Sequence, residues 1–338
     1  MEFGDLGGCK MVKIAFFDTK NYDKEVFNKY NKEYKYDITY FESKLNSETA
    51  PLTKGFDVVC IFVNDKADAK TLKILEENGV KVLALRCAGF NNVAIEEKGN
   101  LKIVRVPQYS PYAVAEHAVG LLLSINRKLY KSYQRTRKYN FSLDGLLGFD
   151  IHGKTVGVMG TGRIGKAFIN IMKGFGTRII AYDTYQDEKF REEVGFEYVD
   201  LDTLYKESDI ISLHCPLLKD TEKMINKESI AKMKKGVIII NCSRGKLINT
   251  NDLVQKLSEG KIGGVGLDVY EDEEEFFLRD MSNSYIRDKN LSILLSMPNV
   301  FITSHQAFFT KEALNKIASD TLENIKKEIE TGTCENEL

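Results

Sequence analysis

The chain has 338 residues, enough for about two domains with sizeable cores. Hydrophobic residues make up 43% and charged residues 29%, which are ordinary values for a soluble globular protein. The formal net charge of -1 gives no support for nucleic acid or an anionic membrane as a partner, and the basic cluster from Arg127 to Lys138 is interpreted as a solvated helix face.

The cysteines and the apolar runs favour a cytoplasmic protein. None of the six cysteines forms a CxxC pair, which is typical of reduced thiols rather than of a disulfide framework. The longest apolar stretches, Val58–Val63 and Val237–Ile240, are too short to span a bilayer. No bound metal is expected. Residues 1–10 match no element and are interpreted as a leader or an expression scar, outside the fold prediction.

Short apolar strands alternate with helices up to residue 110. Helices are predicted over Tyr22–Tyr30 and Ala67–Glu77, and strands over Val12–Phe17, Val58–Val63, Val80–Leu85 and Leu101–Val104. This order predicts a parallel sheet with helices on both faces.

A long helix separates this part from a second alternating series. Ser110 is a suitable N-cap and Pro111 a suitable first residue for a helix that runs through Ala113–Arg137, before a glycine-containing break at Asp144–Gly148. The strands predicted after it are Thr155–Met159, Arg178–Tyr182, Ile210–Leu213, Val237–Asn241, Gly264–Asp268 and Val300–Thr303. The helices predicted after it are about Gly162–Gly174, Asn226–Lys234, Asn251–Glu259 and Lys311–Glu330.

A glycine fingerprint follows the first strand of this second series. Gly160-Thr161-Gly162-Arg163-Ile164-Gly165 stands between a predicted strand and a predicted helix, where a dinucleotide-binding turn requires it. Gly160 permits the tight turn, Gly162 lets the backbone approach a pyrophosphate, and Gly165 lets the helix pack against the strand. Free N–H groups at the helix N-terminus, with Arg163 beside them, favour phosphate binding. The alternative is a tight turn that binds no ligand.

Asp183 indicates which dinucleotide binds. It follows the next strand, 18 residues after Gly165, which fits the acid that hydrogen-bonds the adenosine ribose. A carboxylate there repels a 2′-phosphate, and no Arg or Lys follows before Lys189. The sequence therefore predicts NAD rather than NADP.

Polar side chains follow several other strands of this series. Ligands of open α/β sheets bind beyond the carboxyl ends of the strands. Those ends read His214-Cys215-Pro216, Cys242-Ser243-Arg244-Gly245, Asp268-Val269-Tyr270-Glu271 and Ser304-His305-Gln306. Their convergence would bring Arg244, a carboxylate and His305 together.

Such a trio suits the reduction of a 2-oxo acid. The imidazolium of His305 can supply a proton, and a nearby protein carboxylate keeps the imidazolium charged. Arg244 can bind the carboxylate of the substrate through paired hydrogen bonds. The alternative is that Arg244 bridges loops and His305 is an interior histidine with satisfied hydrogen bonds. Of the other histidines, His117 is expected to pack at a helix or subunit contact, His152 to be exposed, and His214 to position a turn.

These residues resemble those of the D-isomer-specific 2-hydroxyacid dehydrogenases, and more narrowly their bacterial fermentative D-lactate dehydrogenase branch. The resemblance runs from Met11 to Leu338. Its most specific stretches are Leu85-Arg-Cys-Ala-Gly-Phe-Asn-Asn92, Tyr109-Ser-Pro111 with Ala115-Glu-His117, Gly160–Gly165, Asn241-Cys-Ser-Arg-Gly245, Asp268-Val-Tyr-Glu271 and His305-Gln-Ala-Phe308.

The resemblance implies an α/β fold of two doubly wound parallel-sheet domains. A Rossmann NAD domain, residues 111–307, would be inserted in a flavodoxin-like substrate domain, residues 1–110 and 308–338. The helix from Pro111 would pack between subunits, which implies a homodimer or homotetramer.

The resemblance also implies residue roles. Arg244 would bind the substrate carboxylate and His305 would donate the proton. The residues alone leave its partner open among the acids after Asp268, and the family places it at Glu273. Asp268 would hold the nicotinamide amide, and further cofactor contacts would come from Arg163, Ile164, Cys215, Pro216, Cys242 and Ser243. Substrate contacts would come from Ala88, Gly89, Tyr109 and Phe308.

The implied reaction is the reversible, NADH-dependent reduction of pyruvate to D-lactate. Two alternatives stay open. One is an NAD-dependent reductase of another 2-oxo acid, and the other is a non-enzymatic, NAD-sensing protein similar to a transcriptional corepressor.

Overall fold

The chain forms two units, each built on its own parallel sheet. The computed structural model describes residues 11–338, so the interpretation of residues 1–10 lies outside it. One unit comprises the described residues up to Ser110 together with Thr310–Leu338, and the other comprises Pro111–Phe309. The chain thus returns to the first unit two residues after the expected position 308.

The described residues contain twelve strands. In chain order they are β1 Lys13–Phe16, β2 Asp37–Tyr40, β3 Val58–Ile61, β4 Val82–Leu85, β5 Lys102–Arg105, β6 Thr155–Met159, β7 Arg178–Tyr182, β8 Glu197–Tyr198, β9 Ile210–Leu213, β10 Val237–Asn241, β11 Ile262–Leu267 and β12 Val300–Ile302. The inner strands β3, β4, β9 and β10 are buried along their whole length, as expected of parallel strands that are covered on both faces.

Eleven α-helices accompany these strands in the described part. They are α1 Asn21–Tyr34, α2 Ala69–Glu77, α3 Pro111–Asn126, α4 Leu129–Thr136, α5 Arg163–Gly174, α6 Glu188–Val194, α7 Leu201–Glu207, α8 Lys227–Lys232, α9 Thr250–Ser258, α10 Lys289–Ser296 and α11 Lys311–Thr331. The side chain of Thr310 caps α11 by accepting a hydrogen bond from the backbone of Ala313.

The first unit contains a five-stranded sheet in the order β2-β1-β3-β4-β5. All neighbouring strands are parallel. The strand order reverses between β1 and β3, which is the flavodoxin-like arrangement.

The second unit contains a seven-stranded parallel sheet in the order β12-β11-β10-β9-β6-β7-β8. This is the Rossmann order with one strand added at an edge, and its switch point lies between β6 and β9. Because the strands are parallel, the segments that follow β6, β9, β10, β11 and β12 emerge at one edge of the sheet. The predicted doubly wound fold and the convergence of these strand ends are confirmed.

The helix predicted from Ala113 to Arg137 is wrong in one respect, because it is two helices. Lys128, between α3 and α4, has a left-handed backbone with a φ of 51°. The side chain of Asn126 pairs with the backbone of Phe149, donating to its oxygen over 2.7 Å and accepting from its nitrogen over 3.0 Å. The returning chain thus ends α3 at Asn126. Within residues 11–338, none of the helices has the length and apolar content needed to cross a membrane.

Candidate active site

The glycine turn after β6 has the geometry that its sequence predicts. Gly160 has φ +96°, and a Cβ there would lie 2.6 Å from the backbone nitrogen of Cys215. A Cβ at Gly165 would lie 2.0 Å from the carbonyl oxygen of Gly160, so only glycine lets α5 pack this closely. A Cβ at Gly162 would meet nothing within 4 Å, which leaves this backbone open to a ligand.

The start of α5 fits a pyrophosphate. Gly162 is its N-cap and offers no side chain to the first N–H groups of the helix. Arg163, the first helical residue, is exposed, and Ile164 is half-buried. These free donors and the helix dipole favour an anion at this position.

Asp183 lies directly after β7 and contacts the glycine turn. Its Oδ2 accepts hydrogen bonds from the backbone nitrogen of Thr161 over 2.6 Å and from the Thr161 hydroxyl over 3.0 Å. Its Oδ1 accepts from the backbone of Tyr185 over 2.9 Å. The carboxylate therefore also anchors the glycine turn, a contact that the sequence did not indicate.

The turn that carries Arg244 is built by Asn241 at the end of β10. The Asn241 side chain donates to the oxygen of Arg244 over 2.9 Å and accepts from the backbone of Ser243 over 3.0 Å. The Ser243 hydroxyl donates to the oxygen of Cys215 over 2.6 Å, which joins the ends of β10 and β9. A Cβ at Gly245 would lie 2.0 Å from the carbonyl of Tyr270, so the chain after Arg244 packs directly on the segment after β11.

His305 is hydrogen-bonded to Glu273. The distance from His305 Nδ1 to Glu273 Oε1 is 2.6 Å, and the two side chains are 16% and 15% exposed. The other Glu273 oxygen accepts from the backbone of Tyr270 over 2.9 Å, which fixes the carboxylate. Glu271, an alternative acid in the sequence, instead contacts Thr250 and Lys223. The structure thus pairs His305 with Glu273 among the acids that follow Asp268.

The backbone of His305 is held in a strained conformation by Asp268. Its φ of 52° lies in the left-handed region, which is uncommon for residues other than glycine. The nitrogen of His305 donates to the Asp268 carbonyl over 2.7 Å. The Asp268 carboxylate accepts from the backbone of Gln306 over 2.9 Å and of Ala307 over 2.8 Å.

Asp268 is fully buried, and its carboxylate is hydrogen-bonded by neighbouring residues of the protein. Besides the two backbone donors, Thr303 donates its hydroxyl to Asp268 Oδ1 over 2.6 Å. Its observed role is therefore to anchor the loop that carries His305, and a nicotinamide contact stays a prediction.

The charges around His305 favour the imidazolium. Burial lowers the pKa of His305, but the charge and hydrogen bond of Glu273 and the charge of Asp268 outweigh both burial and the opposing charge of Arg244. The pKa of His305 is therefore raised above its ordinary value. Burial alone would raise the pKa of Asp268, yet hydrogen bonds from His117 and Thr303 and the charge of His305 lower it, so Asp268 is a carboxylate.

The remaining residues of this unit that were expected near the nicotinamide or the substrate follow strands that end at the same edge of the sheet. Cys215 and Cys242 are buried, and burial raises the pKa of each thiol. Pro216 is exposed at the end of β9. The ring of Phe308 is buried, with its centroid 6.4 Å from that of His305.

Ala88, Gly89 and Tyr109 belong to the first unit, and their expected substrate contacts stay predictions. Ala88 and Gly89 follow β4, where the carbonyl of Ala88 accepts a hydrogen bond from Arg105 Nη1 over 2.8 Å. The carbonyl of Gly89 accepts from the Cys87 thiol over 3.2 Å. Tyr109 is half-buried just before α3.

The surroundings of the other three histidines agree with those expected from the sequence to different degrees. His152 is exposed, as expected. His214 contacts Ser212 through Nε2 over 2.8 Å and packs against Phe168, beneath the glycine turn. His117 lies on α3 and makes a polar contact beyond the expected helix packing, because its Nε2 lies 3.3 Å from Asp268 Oδ1. Only the Glu116-His117 pair on an otherwise apolar helix marked it in the sequence.

Comparison with known proteins shows the family. Residues 119–307 match the family model described as D-isomer specific 2-hydroxyacid dehydrogenase, NAD binding domain. The chain belongs to the D-isomer specific 2-hydroxyacid dehydrogenase family. It is accordingly an NAD-dependent enzyme of the dehydrogenase class, and NAD is its cofactor.

The similarity extends over nearly the whole chain. A relative from Schizosaccharomyces pombe named 2-hydroxyacid dehydrogenase homolog 1 is 50% identical over 93% of this chain and 95% of its own length. D-lactate dehydrogenase from Escherichia coli is 47% identical over 97% of this chain and 100% of its own length. A solved apo structure of D-lactate dehydrogenase from Escherichia coli superposes with a TM-score of 0.88 at 46% identity, covering 97% of this chain and 100% of that one.

Asp183 is expected to set the preference of this dehydrogenase for NADH over NADPH. In the double variant Asp183→Ala, Thr184→Arg, the ratio of kcat/KM for NADPH to that for NADH should rise on the order of a hundredfold. The first change removes a carboxylate that repels the 2′-phosphate, and the second adds a guanidinium that binds it. Thr161→Val is the matched control, since it removes a hydroxyl that binds Asp183 but keeps the charge. An unchanged ratio in the double variant would count against Asp183 as the ribose ligand.

Proposed function

We propose that this dehydrogenase reduces pyruvate to D-lactate with NADH and catalyses the reverse oxidation. The observation that carries the proposal is the His305–Glu273 pair, with a 2.6 Å hydrogen bond at the same edge of the sheet as Arg244. A positioned acid, a carboxylate partner and a guanidinium are what the reduction of a 2-oxo acid requires. The similarity to proteins named D-lactate dehydrogenase supports pyruvate as the substrate.

His305 is the proposed proton donor and Glu273 its partner. NAD in its reduced form supplies the hydride that adds to carbon 2 of the substrate. Because Glu273 engages Nδ1, the other ring nitrogen, Nε2, is the one that delivers a proton to the carbonyl oxygen. After transfer, His305 is a neutral imidazole that keeps its Nδ1–H toward Glu273, and the substrate has become a hydroxy acid.

Arg244 is the proposed ligand of the substrate carboxylate. Its backbone position is fixed by Asn241, while its guanidinium is half-buried and makes one hydrogen bond to the oxygen of Ser243 over 2.8 Å. A guanidinium can bind a carboxylate through two parallel hydrogen bonds. We extend the proposal to Ala88 and Gly89 as further carboxylate contacts and to Tyr109 and Phe308 as contacts of the methyl group.

A steady-state assay tests this function. Purified protein is incubated with NADH and a panel of pyruvate, hydroxypyruvate and bulkier 2-oxo acids, and the loss of NADH absorbance is followed. The highest kcat/KM is expected for pyruvate, with D-lactate as the product in a chiral assay. A higher kcat/KM for a bulkier acid would reassign the substrate, and no turnover with any 2-oxo acid would refute the enzymatic proposal.

The pH dependence of the reaction follows from the raised pKa of His305. Reduction requires the protonated ring, so kcat/KM for pyruvate should be constant below that pKa and fall about tenfold per pH unit above it. Oxidation of D-lactate requires the neutral ring, so its rate should rise through the same pKa. Profiles measured in both directions check this, and parallel rather than opposite limbs would contradict the assignment.

We propose that the chain forms a homodimer or homotetramer through α4 and the segment that follows it to Phe149. α3, the helix first expected between subunits, is largely buried in its own unit. α4 has no buried residue. Large apolar side chains are exposed both on α4 and in the segment after it: Leu129, Tyr133, Tyr139, Phe141, Leu143 and Leu147. Such an apolar surface favours protein association. Light scattering would refute this proposal by giving a monomer mass at assay concentrations.

A further inference from the structure

His117 contacts the residues that hold the proposed proton donor. It lies on α3, and its Nε2 is 3.0 Å from the hydroxyl oxygen of Thr303 and 3.3 Å from Asp268 Oδ1. Its side chain is 20% exposed. This contact joins α3 to the end of β12 and to the buried carboxylate after β11, so it is more than helix packing.

The hydrogen bonds around Thr303 fix which atom carries the proton. Thr303 and Asp268 oxygens are 2.6 Å apart, a distance at which the hydroxyl proton must lie between them because the carboxylate has none. The hydroxyl can then only accept from His117. Nε2 of His117 therefore carries a hydrogen and donates it toward Thr303, with Asp268 as a second acceptor.

Asp268 transmits this contact to His305. Its carboxylate accepts from the backbone of Gln306 and Ala307, and its carbonyl accepts from the nitrogen of His305. These bonds hold His305 at its left-handed φ of 52°. Because Asp268 is fully buried, a donor lost from its carboxylate leaves a buried charge with one hydrogen bond fewer, which costs free energy.

We propose that His117 is a positioning residue for the proton donor. Its Nε2–H fixes Thr303 and the Asp268 carboxylate, and Asp268 fixes the backbone that presents His305. The inference rests on the proposed role of His305 and adds to it a residue that acts through Thr303 and Asp268.

The contact of His117 with Asp268 also affects the pKa of His305. The titratable and charged groups facing His305 are Glu273, Asp268 and Arg244, and His117 acts on it through Asp268. A donor bound to Asp268 offsets part of the negative charge of that carboxylate. Without the donor, more of that charge acts on His305, which raises the pKa of His305.

Three variants separate positioning from packing. His117→Phe keeps an aromatic ring and removes the donor, His117→Gln returns an amide N–H at a similar reach, and the exposed His152→Gln is the matched control. For His117→Phe we expect kcat for pyruvate reduction to fall about tenfold and the alkaline limb of kcat/KM to move up by roughly half a pH unit or more. His117→Gln should recover most of both effects, and His152→Gln should show neither.

A readout that needs no turnover keeps this inference separate from the proposed function. The chain has four histidines, so single substitutions assign each ring signal in an NMR titration of the NAD-bound enzyme. The pKa of His305 should be higher in His117→Phe than in wild type. Thr303→Val is the second variant should His117→Phe fail to fold, and it should shift His305 in the same direction.

The outcomes are distinct. If wild type reduces no 2-oxo acid, the proposed function fails, while the His305 titration still decides the role of His117. The inference is overturned if the titration and pH profile of His117→Phe superimpose on those of wild type. It is also overturned if His117→Gln is as impaired as His117→Phe, because the contact then serves packing alone.

Discussion

Replacing His305 with asparagine is expected to lower kcat for pyruvate reduction by about a thousandfold, because a positioned general acid contributes roughly 10²–10⁴ in rate. Asparagine is the suitable replacement, since it tolerates the left-handed φ of 52° better than most residues and cannot deliver a proton. The Kd for NADH, measured by fluorescence titration, should stay within about twofold, because the hydrogen bonds of His305 go to Glu273 and Asp268 rather than to the glycine turn. The residual rate should lose its alkaline limb.

Glu273→Gln is the companion variant for this experiment. The amide keeps an acceptor for His305 Nδ1 but removes the charge that raises the pKa of His305. The alkaline limb of reduction should therefore move down by about one pH unit, with much of kcat retained at acidic pH.

A loss of NADH affinity in His305→Asn as large as its loss of kcat would argue that His305 binds cofactor rather than donates the proton.

Replacing Arg244 with glutamine is expected to reduce kcat/KM for pyruvate on the order of 10²–10³-fold, because it leaves the substrate carboxylate without its charged partner. Most of the loss should appear in KM, as the carboxylate is bound in both ground and transition states. The charge of Arg244 also lowers the pKa of His305, so the alkaline limb of the variant should move up. Steady-state kinetics at several pH values measure both effects.

Two further variants make the Arg244 experiment specific. Arg244→Lys keeps the charge and loses the planar pair of donors, so it should recover only part of the lost kcat/KM. Lys246→Gln removes a positive charge from an exposed position two residues away and should behave as wild type. Equal impairment of Arg244→Gln and Lys246→Gln would point to a general loss of positive charge instead of a specific carboxylate contact.

The sequence predicts best where burial is most complete. The bounds of β6, β7, β9 and β10 agree with those expected, because continuous apolar runs between turns leave little choice of structure. The edge strands β2 and β8 were not predicted, since their half-exposed residues carry no apolar run. Three short helices, α6, α7 and α10, were also missed.

The broken helix shows how tertiary contacts override a local pattern. The residues from Pro111 to Arg137 are compatible with one continuous helix, and nothing near Lys128 is a helix breaker. The interruption depends on Asn126, whose side chain binds the backbone of Phe149. A hydrogen bond between segments that lie 23 residues apart cannot be inferred from helical periodicity.

The sequence by itself determined the Rossmann sheet, the glycine turn and the set of polar residues at the strand ends. These features depend on local patterns: buried apolar runs, glycines at set spacings and the parallel order of strands. Only the tertiary structure decided that Glu273 rather than Glu271 meets His305, that Asp268 anchors the loop, and that His117 reaches Thr303, 186 residues along the chain. The physical reason is that hydrogen-bond partners are chosen by distance and side-chain direction, which neighbouring residues in the sequence do not specify.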